Sequence, residues 1–316
     1  MKYEPFYKFH RGLERHVKKF PLFKKNLLVS NNHPTQSLKL FSPVDSSYEN
    51  PVKDREGWTA DKILQCLEIA LKFNRVEIFA QPLVFIPSRQ IWAMEFFGRI
   101  RAKPGVYIPA SQYANLAAEK NLLKELDNKV LMKSLEILNL EARKQAGKGS
   151  LKPFFLNIGA HTLTDTEFMH LLLQFLSRYK HLASLIVLEI REEELLGFNE
   201  SVLEIINGLS QIGCRVSLDN FKSGNINMEL VERCNIQYIK IKSSILTRLL
   251  NHKAHKIKEL NEKIRLLQEK NIEIIADKIE TKEALNQILD LPVFRAQGYL
   301  LGKPESPGVY NIRIAA

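Results

Sequence analysis

Seven polar residues close separate short apolar runs: Glu95, Asn157, Glu189, Asp219, Lys240, Asp277 and Gln297. One acid after a strand is ordinarily a helix cap or a turn residue. Seven such positions that include a lysine and a glutamine are better explained as one site built from several strands. Carboxylates are the hard oxygen ligands that Mg²⁺ or Mn²⁺ takes. An amine among them is a partner for anionic groups. His252 and His255 stand three apart in the basic stretch 248–270. No third ligand accompanies them, and a solvated helix face is the plainer reading.

A ring of this kind needs strands whose ends meet. Strands are expected over 76–84, 91–100, 152–159, 184–190, 214–220, 236–242, 272–278 and 295–301. Apolar residues at helical spacing follow Thr59, a potential N-cap, and helices are expected over 122–145, 166–179, 200–210, 244–270 and 281–290. Eight strands mostly followed by helices predict an α/β chain folded as a (β/α)8 barrel, with its chemistry at the C-terminal strand ends. Only Phe-Ile-Pro-Ser-Arg-Gln around Pro87 joins the first two strands. That is too short for a parallel crossover, so this pair is expected to be antiparallel.

Composition sets the outer bounds. With 45% hydrophobic and 26% charged residues the chain can bury an ordinary core. A net charge of +11 favours anionic partners: nucleotides, nucleic acid, an acidic protein face or an anionic membrane. Cys66, Cys214 and Cys234 form no CxxC pair, which argues for a reducing compartment and small buried apolar roles. No apolar run reaches the ~18 residues of a spanning helix, and the chain reads as cytoplasmic. Residues 1–58 read as a basic, aromatic-containing extension, a surface wrap or an arm for a partner, and 59–316 as the barrel domain.

The ordered fragments resemble the EAL family of bacterial cyclic di-GMP phosphodiesterases. Gln81-Pro82, then Glu95 and Arg99, stand as in the opening segment that precedes and contains Glu-Ala-Leu-Leu-Arg, with Phe96-Phe97 in place of Ala-Leu. Asn157 matches the Asn-Leu-Ser segment. Glu189 and Glu192 match Glu-Ile-Thr-Glu, with Arg191 for Thr. Asp219, Phe221 and Gly224 match Asp-Asp-Phe-Gly-Thr-Gly, with Asn220 for the second Asp and Lys222 for Gly. Lys240 matches Lys-Ile-Asp, with Lys242 for Asp. Asp277 and Glu280 fall in Ala-Glu-Gly-Val-Glu-Thr, with Asp277 for Glu and Lys278 for Gly. Gln297, Gly298, Tyr299 and Pro304 match the closing segment. The resemblance implies a modified TIM-like barrel with one antiparallel strand.

It also implies roles. Glu95, Asn157, Glu189 and Asp219 would hold one Mg²⁺ or Mn²⁺, and residues 219, 220 and 277 a second. Glu95, Lys240 and Gln297 would be catalytic remnants, Glu192 a loop anchor, and Gln81, Arg99, Lys222, Lys242, Asp277 and Glu280 ligand contacts. Here the second site is altered. Asn220 is neutral, and Asp277 reaches about 1.5 Å less than glutamate. Lys242 lies two residues from Lys240, on the same strand face. Relative to the family pattern the local charge shifts by three positive units. Each unit interaction at ~4 Å and a dielectric of ~20 is worth about 4 kcal/mol, which disfavours a second divalent ion. A cationic mouth can still hold phosphodiesters without metal.

The expected activity is therefore a degenerate receptor that binds cyclic di-GMP, needs no metal for binding, and signals through a regulatory partner protein. One remnant metal site is the most it would keep. The alternatives are a nucleotide-independent interaction module acting through 244–270 or 1–58, and a slow metal-dependent phosphodiesterase. Nucleic-acid binding rests on net charge alone. A homodimer follows from the resemblance.

Overall fold

The computed structural model describes residues 58–144, 152–221, 227–250 and 254–307. The basic extension through residue 57, Lys222, Gly224 and His252 lie outside them.

Helix α1 (Ala60–Lys72) starts where the Thr59 side chain accepts from the Lys62 N–H at 3.3 Å. It buries Ile63, Leu67, Ala70 and Leu71, the one-face spacing that amphipathic helices show. Strands β1 (Val76–Phe85) and β2 (Gln90–Lys103) form the expected antiparallel pair, with Gln81 opposite Glu95. Next come β3 (Val106–Pro109), α2 (Ala110–Glu119) and α3 (Leu123–Lys144). From β4 (Phe154–Asn157) the chain alternates. The short helix α4 (Ala160–Leu163), α5 (Thr166–Arg178) and α6 (Lys180–Ala183) lead to β5 (Ile186–Arg191). Helices α7 (Glu192–Leu195) and α8 (Glu200–Gln211) lead to β6 (Arg215–Asp219), and α9 (Met228–Arg233) to β7 (Ile236–Lys242). Helices α10 (Ser243–Leu250) and α11 (Ala254–Glu269) precede β8 (Glu273–Asp277), and α12 (Lys282–Ile288) precedes β9 (Arg295–Gln297).

Eight strands close into a barrel in the order β1-β9-β8-β7-β6-β5-β4-β2, with β2 pairing back to β1. Strand β1 is antiparallel to both neighbours; the other barrel contacts are parallel. The fold is the TIM-like α/β barrel with one antiparallel strand that the sequence predicts. Side-chain alternation splits the core in two. Phe96, Phe154, Leu156, Leu188 and Ile239 face the helices, while Leu83, Ala93, Phe155, Val187, Tyr238 and Ile275 fill the barrel.

Two local expectations need correction. Strand β3 and helix α2 were not foreseen, because a four-residue strand entered from Gly105, at φ 75, is too short for a periodic signal. Within the expected helix 244–270, Ser243–Leu250 and Ala254–Glu269 are helical, and 251–253 lie outside the described residues. Strand β9 stops at Gln297 rather than 301. Gly298, at φ 156, lies so close to the Ile279 backbone that a Cβ would overlap its N and O atoms.

Candidate functional site

Strand periodicity brings the ring together at one barrel end. Asn157 and Glu189 are register neighbours on β4 and β5, Arg191 and Asp219 on β5 and β6, Lys242 and Asp277 on β7 and β8. At the centre the Lys240 ammonium lies 2.5 Å from Glu95 Oε2 and 2.7 Å from Glu189 Oε1. Asn157 Nδ2 donates to Glu95 Oε1 at 2.8 Å, and Gln297 Nε2 to Glu95 Oε2 at 2.8 Å. Gln81 sits below, accepting from Gln297 at 3.3 Å and donating to the Gly302 carbonyl at 2.9 Å. It braces Gln297 from within the wall.

Glu95, Glu189 and Lys240 are all buried, so their charges interact with little screening. Burial alone would raise the Glu95 carboxyl, but the Lys240 charge together with hydrogen bonds from Glu189, Lys240 and Asn157 outweighs it, and the net shift is downward. Burial, then the Glu95 charge, push Glu189 well above the usual carboxylate range. Neither Glu189 oxygen accepts a well-formed hydrogen bond. Burial would lower the Lys240 amine, yet Glu189 and Glu95 together hold it above its ordinary value. One ammonium thus serves two carboxylates, and the Glu95 charge beside Glu189 favours the protonated form of Glu189. Burial raises Asp277 as well, against the pull of Lys240 and the Lys278 N–H.

Lys242, one strand repeat beyond Lys240, is half-buried at the rim and makes no ion pair with a described carboxylate. Arg99 lies with its guanidinium 5.8 Å from the Phe79 ring and 5.6 Å from Phe97, bonded only to the Gly98 carbonyl among the described residues. Lys278 is exposed and holds φ 57, a left-handed conformation where the family pattern has glycine; Asn220 holds φ 55. Glu280 is exposed beside it, and Glu192 is half-buried at the start of α7. Sequence reasoning noted Phe97 but missed its partner Phe79, whose place beside Arg99 across the β1–β2 pair was the available signal. It also missed Glu194. That side chain accepts from the Ala160 N–H at 3.3 Å and pairs with Arg191 at 2.5 Å, tying two mouth loops together.

The described acids fit a divalent ion poorly in this arrangement. No three described His, Cys, Asp or Glu side chains converge on one cation position. Two members of the expected quartet already share Lys240, and Asn157 turns its amide nitrogen, a donor, toward Glu95. Asn220 Oδ1 is buried without a partner, but it is a neutral oxygen.

The barrel has counterparts among known proteins. The family model described as EAL domain matches residues 65–304. The cyclic di-GMP phosphodiesterase PdeA of Borreliella burgdorferi is 26% identical over 245 residues, covering 78% of this chain and 36% of the relative. The chain spans less than half the length of the first curated relatives it matches. The PaMucR phosphodiesterase, solved as a c-di-GMP complex, superposes with a TM-score of 0.66 at 21% identity, over 78% of this chain and 99% of that one. The Xanthomonas citri FimX EAL domain, solved in complex with c-diGMP, gives 0.67 at 17%, over 80% and 97%. Among the described residues no helix is long and apolar enough to cross a membrane. With its barrel, its single antiparallel strand and a family match over residues 65–304, this chain belongs to the EAL domain family.

Proposed function

We propose that this chain is a cyclic di-GMP receptor that has lost hydrolysis and signals through a regulatory partner protein. The observation that carries the reading is Lys242 in register with Asp277, an ammonium where the family pattern has an aspartate, while the Lys240 ammonium that the pattern keeps is seated between Glu95 and Glu189. A Mg²⁺ or Mn²⁺ ion would reach at most the set Glu95, Asn157, Glu189 and Asp219, after displacing that amine. The second set is weaker still, with neutral Asn220, short Asp277 and Lys242 in register beside Asp277.

The mouth keeps what a phosphodiester needs. Arg99 has no described acid to neutralise it, and its aromatic flanks leave the guanidinium edge for bidentate contact with phosphate. Lys242 and Lys278 add charge at the rim. Phe96 packs outward on Phe154, ring centres 5.0 Å apart, and so does not fill the mouth.

Calorimetric titration with cyclic di-GMP tests the reading. Micromolar or tighter binding that survives chelation of Mg²⁺ is the expected result. Absence of heat, with no ligand-induced rise in melting temperature, would leave the nucleotide-independent interaction module. Linear dinucleotide appearing with Mn²⁺, and disappearing in Glu95→Ala, would make the chain a slow phosphodiesterase, a reading that the retained quartet favours. If charge is what stops the reaction, the triple change Lys242→Asp, Asn220→Asp and Asp277→Glu should restore Mn²⁺-dependent cleavage.

A further inference from the structure

A tight turn joins β1 to β2 where the parallel strands are followed by helices, and although α3 packs on the outer side of this wall, the end next to the turn borders α12. A groove of about 940 Å³ runs between the 86–89 turn, α12 and segment 291–301. Exposed apolar side chains collect along it. Leu289 is 58% exposed, Phe294 45% and Leu300 36%, three of the nine large hydrophobic residues this exposed among those described. Leu285 and Leu289 stand one helical turn apart on α12 and form one wall. Phe294 packs on Phe85 at 6.4 Å, which fixes the other.

The charges at the groove are of one sign. Among the described residues that line it, Arg89 and Lys282 are the charged ones, at the turn and at the start of α12. Arg89 holds φ 55, a turn position that glycine or asparagine fills at less cost, so the side chain rather than the turn accounts for an arginine there. Two cations on an apolar floor are too few to hold a nucleic-acid backbone. They suit a ligand that is apolar on one face and acidic at its flanks.

We propose that this groove docks an amphipathic helix of a partner protein, with apolar residues one turn apart seated against Leu285, Leu289 and Phe294 and acidic residues meeting Arg89 and Lys282. Helix-in-groove recognition reads that spacing, and like-signed rim charges select the partner against basic helices. Seven-residue α12 is about 10 Å long, matching two turns of a docked helix. The docking does not require nucleotide at the mouth.

The test uses the full chain and a fluorescein-labelled, stapled helix of about 14 residues, with leucines one turn apart and glutamates on both flanks, read by fluorescence anisotropy. Micromolar binding is expected, weakened about tenfold or more when the glutamates become lysines. Leu289→Asp should abolish it, and the double change Arg89→Glu, Lys282→Glu should reverse the preference, both without lowering the melting temperature. Equal binding of acidic and basic peptides, no binding at about 100 µM, or indifference to Leu289→Asp would overturn the proposal. So would sedimentation showing a dimer that Leu289→Asp dissolves, since the groove would then belong to a second copy of the chain.

Discussion

The two ends of the barrel treat buried charge in opposite ways. At the floor each charge has its own partner. The Arg295 guanidinium lies 4.2 Å from the Trp92 ring centre and pairs with Glu273, while Arg215 donates to the Tyr238 hydroxyl at 3.2 Å and the Ser184 carbonyl at 2.9 Å. Trp92, Phe155 and Tyr238 pack together above them, with ring centres 5.4 to 5.7 Å apart. At the mouth, Glu95 and Glu189 share one ammonium, neither Glu189 oxygen accepts a well-formed hydrogen bond, and Arg99 lacks a described acid. The floor leaves the buried Arg295 Nε without an acceptor, but the acids that lack full pairing lie at the mouth. Unmet electrostatic demand inside a protein costs stability, so its concentration at one end marks where a ligand is meant to complete the set.

Breaking the shared ammonium gives the largest expected effect. Lys240→Met leaves two buried carboxylates without a counter-charge and should cost about 4 kcal/mol in chemical denaturation. A loss under about 1 kcal/mol would mean that water, not Lys240, serves the mouth. On the floor, Trp92→Ala should cost about 3 kcal/mol through lost packing on Phe155, Tyr238 and Arg295, while calorimetry shows unchanged nucleotide affinity. An affinity change there would erase the division between the two ends.

Smaller effects sharpen the same contrast. Arg99→Ala should weaken cyclic di-GMP binding by about 2 kcal/mol, roughly thirtyfold, with little change in melting temperature, because a charge-assisted phosphate contact disappears and no internal pair is broken. The smallest effect is pH-dependent. Glu189 has a folded pKa raised above the unfolded one, chiefly by burial. Below about pH 4 both states are protonated and no penalty exists. As pH rises the unfolded chain releases its proton first, so native stability falls until pH passes the folded value. Glu189→Gln should therefore change nothing near pH 4 and stabilise progressively as the pH rises toward 7. A gain that is flat across melting curves from pH 4 to 7 would show that Glu189 is ionised in the folded state.

Much of this was legible in the sequence. Apolar runs with a period of two, separated by helical stretches, gave the barrel, and the short Pro87 connection gave its one reversed strand. The polar ring at Glu95, Asn157, Glu189, Asp219, Lys240, Asp277 and Gln297 followed from strand ends alone. The short β3 and the early end of β9 did not. Each depends on chain reversal or close backbone contact rather than on periodicity.

What the sequence by itself determined is which side chains share a barrel face, because alternation along a strand is fixed by backbone geometry. It could not decide which of two lysines on that face meets the acids. Lys240 and Lys242 differ by about 6.6 Å along β7, and that height is set by strand stagger around the closed barrel. Only the tertiary fold brings Lys240, 145 residues away in sequence, level with Glu95 and leaves Lys242 at the rim.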